Sequence, residues 1–305
     1  MDVSELIKIE CKMPDPRYAN LWSSIVVDQS IKDRLLRSAA LSLRLRAELP
    51  FEVTALHGLA LLYGPPGTGK TTLARGLAYQ LAPLTTRRSV RLIEINPHGL
   101  MSAEHGQSQR RVTQLLTEHI PSMVDDGLPT VVLLDEVESM VVARSQASLA
   151  ANPADVHRAT DAVLTAIDSN ASAFPHLIFV ATSNFTGAID EAFLSRADVA
   201  IHVPAPDARG VLAILRATLD AMSTAFPLLA RLSRSPELER VAHALAGMDG
   251  RRVRKTVSEA MICRMDTVIE PGALSVEDLL SATHRIKQNE HITQTQSAGG
   301  RNGKN

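Results

Sequence analysis

Ten consecutive residues, Tyr63-Gly64-Pro65-Pro66-Gly67-Thr68-Gly69-Lys70-Thr71-Thr72, restrict the folds open to this chain more than any other stretch. They satisfy G-x-x-x-x-G-K-[ST] from Gly64 to Thr71, and they stand between an apolar run, Leu59 to Tyr63, and a helix-forming run, Thr72 to Leu81. That context predicts a strand, a tight loop and a helix start. Glycines at 64, 67 and 69 admit backbone conformations that a side chain forbids, so successive amide N–H groups converge on a phosphate at the positive end of the following helix. In this arrangement Lys70 neutralises the outer phosphates of a nucleoside triphosphate, and the Thr71 hydroxyl ligates Mg²⁺. Gly64 to Thr72 are the expected nucleotide-binding residues.

A second apolar run, Val131-Val132-Leu133-Leu134, ends in Asp135 and Glu136. Two acids ending a buried strand are costly unless a cation sits nearby, and together with the glycine loop they complete a hydrolytic pair. Asp135 is expected to hold Mg²⁺ through its water shell, and Glu136 to polarise the attacking water as general base. Phe179-Val180-Ala181-Thr182-Ser183 ends in Asn184, a neutral side chain placed to orient that water or touch the γ-phosphate. Arg196 follows within Ile189 to Asp198. An arginine here stabilises γ-phosphoryl charge, but one subunit's own donors already occupy the other side of its nucleotide, so Arg196 is expected to serve a neighbour. Its bland alternative is an ion pair with Asp198 or Asp190.

Composition excludes several classes. A chain of 305 residues with 45% hydrophobic and 21% charged residues holds one large domain or, more comfortably, two. The formal charge of −1 gives no general attraction to nucleic acid or anionic membrane. Cys11 and Cys263 are the only cysteines, far apart in sequence, in keeping with a reducing cytoplasm. No run of about 18 uncharged apolar residues exists, so no membrane-spanning helix is expected.

Four apolar strand candidates, Leu59 to Tyr63, Arg91 to Ile95, Thr130 to Leu134 and Leu177 to Thr182, alternate with helical or polar segments, and Val199 to Val203 is a fifth. This order predicts an α/β domain with a parallel five-stranded sheet, ligands lying at the carboxyl ends of the strands. Leu6 to Glu10 reads as a short strand or a ragged arm, and residues 1–20 as a short N-terminal segment. Asp28 caps a helix running to about Leu49, which places Trp22 to Val27 near the nucleotide base; Trp22 itself reads as core packing or base contact. The large domain is expected over 21–204. After Pro204-Ala205-Pro206 a small helical lid over 205–292 is expected, with helices Asp207 to Ser223, Ser235 to Gly247, Gly250 to Ile269 and Ser275 to Asn289. Residues 293–305 read as a disordered tail. The basic cluster Arg251-Arg252-Val253-Arg254-Lys255 offers Arg251 as a lid residue for the γ-phosphate, with Arg254 as competitor.

Taken together these motifs resemble AAA+ ATPases over roughly Leu21 to Lys287. Asp135-Glu136-Val137-Glu138-Ser139, Asp161 to Asp168, Ser195-Arg196-Ala197-Asp198, Gly250-Arg251 with Arg254-Lys255, and Leu92 to Asn96 with His98 and Leu100 are similar to the pachytene-checkpoint branch. The resemblance implies an ATP- and Mg²⁺-dependent hexameric ring that partly unfolds a HORMA-domain protein, with bacterial relatives in antiphage operons beside a cyclic-oligonucleotide synthase. Only about 20 residues precede Leu21, unlike the eukaryotic adaptor-binding domain, and the first channel loop reads Met101-Ser102-Ala103-Glu104-His105-Gly106 where the family places aromatics. Met101, Glu104, His105 and, in a second loop from Arg144 to Asp155, Arg144 are the candidate substrate contacts. The alternative reading is a loader acting on nucleic acid through the basic cluster.

Overall fold

The computed structural model describes residues 6–96, 107–141, 153–185, 187 and 189–299, with the backbone alone for 107–109, 153–156 and 289–299. Two compact units divide the chain, Met1–Pro204 and Ala205–Asn305.

In the first unit the strands are β1 (Ile7–Met13), β2 (Leu59–Tyr63), β3 (Val90–Ile95), β4 (Thr130–Leu134), β5 (Leu177–Ser183) and β6 (Val199–His202). They form one sheet in the order β1-β3-β4-β5-β2-β6. The five strands read from the sequence are parallel, and a sixth, β1, is added antiparallel to β3, pairing Cys11 with Leu92 and Met13 with Val90. The reason lies in the alternation of Ile7, Ile9 and Cys11 with exposed Lys8, Glu10 and Lys12, a one-sided pattern suited to a charged edge. The inner strands β4 and β5 are buried throughout. Alternate residues feed opposite layers: Leu61, Val132 and Phe179 pack in one core with Ile167 and Phe193, whereas Leu62, Val131 and Val180 pack in another with Leu35, Leu73 and Leu77.

Helices α1 (Leu21–Ser24), α2 (Gln29–Glu48), α3 (Phe51–Thr54) and α4 (Lys70–Leu81) flank the first half of the unit. The Asp28 carboxylate accepts the Ser30 N–H at 2.8 Å and so starts α2. Where α1 meets α4, a Cβ on Gly76 would lie 2.9 Å from the Trp22 backbone nitrogen, so only glycine allows this approach. Trp22 packs there against the core. Next come α5 (Gln107–Thr113), a π-helical turn (Gln114–His119), α6 (Ile120–Val124), α7 (Pro153–Ala173) and α8 (Glu191–Arg196).

The amino-terminal ends of β2 and β5 are held by two ions, buried Arg46 and half-buried Asp198. Arg46 of α2 donates to the carbonyls of Leu177, Ala171 and Phe174 at 2.5, 3.1 and 3.2 Å, and burial pushes its pKa down to about 10. Asp198 accepts the N–H groups of His57, Gly58 and Leu59 at 2.8, 2.8 and 3.2 Å; burial nonetheless holds its carboxyl above the ordinary value.

The second unit is helical: α9 (Ala208–Met222), α10 (Leu229–Ser233), α11 (Leu238–Leu245), α12 (Gly250–Met261), α13 (Met265–Ile269) and α14 (Val276–Gly299). The helix expected from Gly250 to Ile269 is broken at Ile262 to Arg264, where the Thr267 hydroxyl donates to the Met261 and Arg264 carbonyls at 2.7 and 2.9 Å. Ser275 and Asp278 cap each other reciprocally at the start of α14. That helix continues to Gly299, into the stretch from 293 expected to be disordered. Polarity alone does not end a helix, and Val276 to Ala298 contains neither glycine nor proline.

Candidate active site

The glycine loop descends from β2 and enters α4 at Lys70. Gly64, Gly67 and Gly69 have φ of 146°, 76° and 95°, and a Cβ on Gly64 would lie 2.2 Å from the Val203 carbonyl oxygen. Lys70 is only 6% exposed. Its Nζ donates to the carbonyls of Gly64 and Pro65 at 2.9 and 2.8 Å and to Asn184 Oδ1 at 2.9 Å. Burial pushes the ammonium pKa down, and the carboxylates of Glu138, Asp135 and Glu136 oppose that shift without cancelling it. A cation held beside three acids at the mouth of a helix suits a triphosphate.

The carboxyl ends of β4 and β5 meet the loop. Asp135 Oδ1 accepts from the Thr71 and Thr182 hydroxyls, each at 2.6 Å, and Thr182 Oγ1 in turn accepts the Glu136 N–H at 3.0 Å. Glu136 is exposed with φ 52° and ψ 53°, a left-handed conformation unusual for a residue with a side chain. Glu138 Oε1 accepts the Asn184 N–H at 3.0 Å. Two hydrogen bonds, Lys70 to Asn184 and Thr71 to Asp135, therefore tie the start of α4 to the ends of β5 and β4.

The donor set suits Mg²⁺. One hydroxyl and one carboxylate are hard oxygen ligands of the sort that leave most coordination positions to water and phosphate. Among the described residues no group of three or more His, Cys, Asp or Glu side chains could hold a metal unaided.

Arg196 belongs elsewhere. It ends α8, just before β6, at the amino-terminal end of the parallel strands, whereas Lys70 follows the carboxyl end of β2. A five-residue strand spans about 17 Å, so Arg196 and Lys70 lie on opposite rims of the sheet. Nε and Nη2 of Arg196 grip Asp168 on α7 at 2.7 and 2.8 Å, and Nη1 donates to the Ala192 carbonyl at 2.8 Å. The sequence offered Asp198 or Asp190 as its ionic partner; the hydrogen-bonded ion pair is with Asp168, while the Asp190 charge also favours the guanidinium. Asp198 is engaged with the start of β2, and Asp190 accepts the Ala192 N–H at 2.9 Å as the cap of α8.

Arg251 and Arg254 are exposed on α12 in the second unit, where Asp249 accepts the N–H groups of Arg251 and Arg252 at 3.0 Å each. Met101, Glu104, His105 and Arg144 lie outside the described residues. Sequence reasoning passed over Thr182, Glu138 and Asp168. Thr182 left a visible trace as a hydroxyl two places before Asn184; Asp168 ended a stretch noted for its resemblance, but nothing in the sequence paired it with Arg196.

The fold and this site define a P-loop ATPase, and the family model described as "ATPase family associated with various cellular activities (AAA)" matches residues 60–205. The chain is 45% identical over 277 residues to CD-NTase-associated protein 6 of Pseudomonas aeruginosa, covering 91% of each chain. The chain carries an AAA ATPase domain and belongs to the family of that protein. It is also 36% identical over 213 residues to the pachytene checkpoint protein 2 homolog of Arabidopsis thaliana, covering 69% of this chain and 45% of that one, so it spans about half of that relative's length. The fold matches a chain of the solved E. coli MS115-1 HORMA:CdnC:Trip13 complex with a TM-score of 0.75 at 17% identity, over 93% of this chain and 97% of that one. Among the described residues no helix is long and apolar enough to cross a membrane.

Proposed function

We propose that this chain hydrolyses ATP in a ring of identical copies, a hexamer, and uses the energy to remodel a HORMA-domain protein. In this reading each site is shared: Gly64 to Thr72 and Asn184 come from one copy, and Arg196 comes from the next. Lys70 holds the outer phosphates, Glu136 takes the proton of the attacking water, and Asn184 orients that water. Mg²⁺, bound by Thr71 and through water by Asp135, would neutralise charge on the phosphates. Arg251 of the helical unit contacts the γ-phosphate and couples turnover to lid movement, and Met101, Glu104, His105 and Arg144 touch the polypeptide substrate.

The observation that carries this reading is the position of Arg196 on the rim opposite Lys70. An arginine there cannot serve its own nucleotide, and a second copy supplies it with one. The HORMA-domain partner is supported by the likeness to a chain of the HORMA:CdnC:Trip13 complex, and a cyclic-oligonucleotide synthase as its associate by the 45% identity to a CD-NTase-associated protein. The same kinship supports an antiphage role, and this reading places the ring in the cytoplasm.

The test is Glu136→Gln. The variant should bind ATP, lose turnover by at least about a hundredfold, and hold its protein partner in an ATP-dependent complex. Undiminished turnover would remove Glu136 as the base. ATPase stimulation by nucleic acid that falls steeply with salt, with none by a HORMA-domain protein, would transfer the motor to a nucleic-acid substrate.

A further inference from the structure

Beside the hydrolytic residues stands a carboxylate to which the mechanism above gives no part. Glu138 lies one short turn beyond Glu136, on the 3-10 turn Val137–Ser139. Its Oε1 accepts the backbone N–H of Asn184 at 3.0 Å. Its Oε2 is buried and has no hydrogen-bond partner among the described residues. A carboxylate with one oxygen stranded out of water is costly, and packing alone would favour an apolar side chain, like that of the neighbouring, fully buried Val137. The retained acid therefore needs a reason beyond stability.

Asn184 supplies one, because it is held twice by different groups. Its backbone N–H is fixed by Glu138, and its side-chain Oδ1 accepts from Lys70 Nζ at 2.9 Å. These two attachments differ in permanence. A phosphate in the glycine loop competes with Asn184 for the Lys70 ammonium, since an anionic oxygen is the stronger acceptor. The side chain of Asn184 is then released towards the reacting centre while its backbone stays anchored. We infer that Glu138 is a positioning residue for ATP hydrolysis: it fixes the backbone of Asn184 so that the amide swings about a stationary point when Lys70 turns to the nucleotide. The inference deepens the proposed ATPase reading and rests on the role given there to Asn184.

Steady-state Mg²⁺-ATPase assays on the full chain test it with five variants. Glu138→Ala should lower kcat about tenfold, the loss appropriate to one misplaced group acting in the transition state, with KM for ATP within about twofold and an unchanged melting temperature. A packing role would instead move melting temperature together with KM. Glu138→Gln keeps an oxygen for the Asn184 N–H and should recover most of kcat. Adding Glu138→Ala to Asn184→Ala should slow the enzyme no further, because both changes remove the same contribution. Additive losses, a kcat for Glu138→Ala equal to that of the parent, or a Gln variant as slow as Ala would each overturn the inference. Should the Ala variant fail to fold, Glu138→Asp decides the matter. Its side chain is one methylene short of the Asn184 N–H, so a reduced kcat supports the positioning role and an unchanged kcat refutes it. Full activity in Asn184→Ala would instead remove Asn184 from catalysis, a failure of the underlying reading and distinct from the case in which Asn184→Ala is slow and Glu138→Ala is not.

Discussion

Replacing Glu94 with glutamine removes the charge at the centre of a buried ion cluster. Glu94 is 0% exposed on β3, and its two oxygens receive Arg75 Nε at 2.6 Å, Arg75 Nη2 at 2.8 Å and Lys8 Nζ at 2.9 Å. Breaking a buried pair by deleting one partner costs about 3–5 kcal/mol, because the other charge is stranded. The Lys8 side chain is 55% exposed and adds little, and the Arg75 side chain, 25% exposed, keeps some access to water, which sets the expected loss near the bottom of that range, about 3 kcal/mol. For a unit of this size the midpoint falls by about 2–4 °C per kcal/mol, hence by about 6–12 °C. Burial alone would raise the Glu94 pKa, but the hydrogen bonds and charges of Arg75 and Lys8 hold it below the ordinary 4.5. A carboxyl with a depressed folded pKa stabilises the protein above its unfolded value and loses that contribution as pH falls through its folded value. Calorimetry of the full chain should therefore show the gap between parent and Glu94→Gln at neutral pH and its closure below pH 4.5, and Glu94→Leu with Arg75→Leu should recover most of the loss. A shift under about 2 °C at neutral pH, or a gap that widens on acidification, would refute the reasoning.

Two further outcomes are expected. Lys70→Ala and Arg196→Ala should each abolish turnover alone, by a factor of about a thousand for Arg196, yet a mixture of the two should regain part of it, because a mixed ring pairs an intact Lys70 with an intact neighbouring Arg196; no recovery after subunit exchange would argue against a shared site. Trp22 is the only tryptophan and packs on α4, while Ile25 covers Gly69, so ATP should change its fluorescence saturably in the parent and not in Lys70→Ala. An unresponsive parent would disconnect that crossing from the loop.

What could be read in advance follows from how local each signal is. Gly64 to Thr71, Asp135, Glu136 and Asn184 announce themselves because each chemistry sits in a few adjacent residues at the end of an apolar run. The parallel strands were legible for the same reason. The place of β1 was not, since Ile7 to Lys12 alternates like any edge strand and its partner β3 lies beyond a strand and four helices. Arg196 shows the limit for side chains: Asp190 and Asp198 were nearest in sequence, but helix capping and the β2 amides claim them, and Asp168 from α7 takes the guanidinium. The break between α12 and α13 was hidden because Ile262-Cys263-Arg264 carries neither glycine nor proline.

The order of the sheet also bears on how the protein is made. Strand β2 carries the phosphate loop, yet its partners are β5, which sets Phe179 against Leu59, and β6, which sets Val199 against Ala60. A nascent chain emerging from the ribosome can join β1, β3 and β4 early, whereas β2 must wait unpaired for more than a hundred further residues. Competence to bind nucleotide thus arrives only when translation of the first unit is nearly complete, and a chain arrested before β5 would carry the full glycine motif on a strand with nothing beside it.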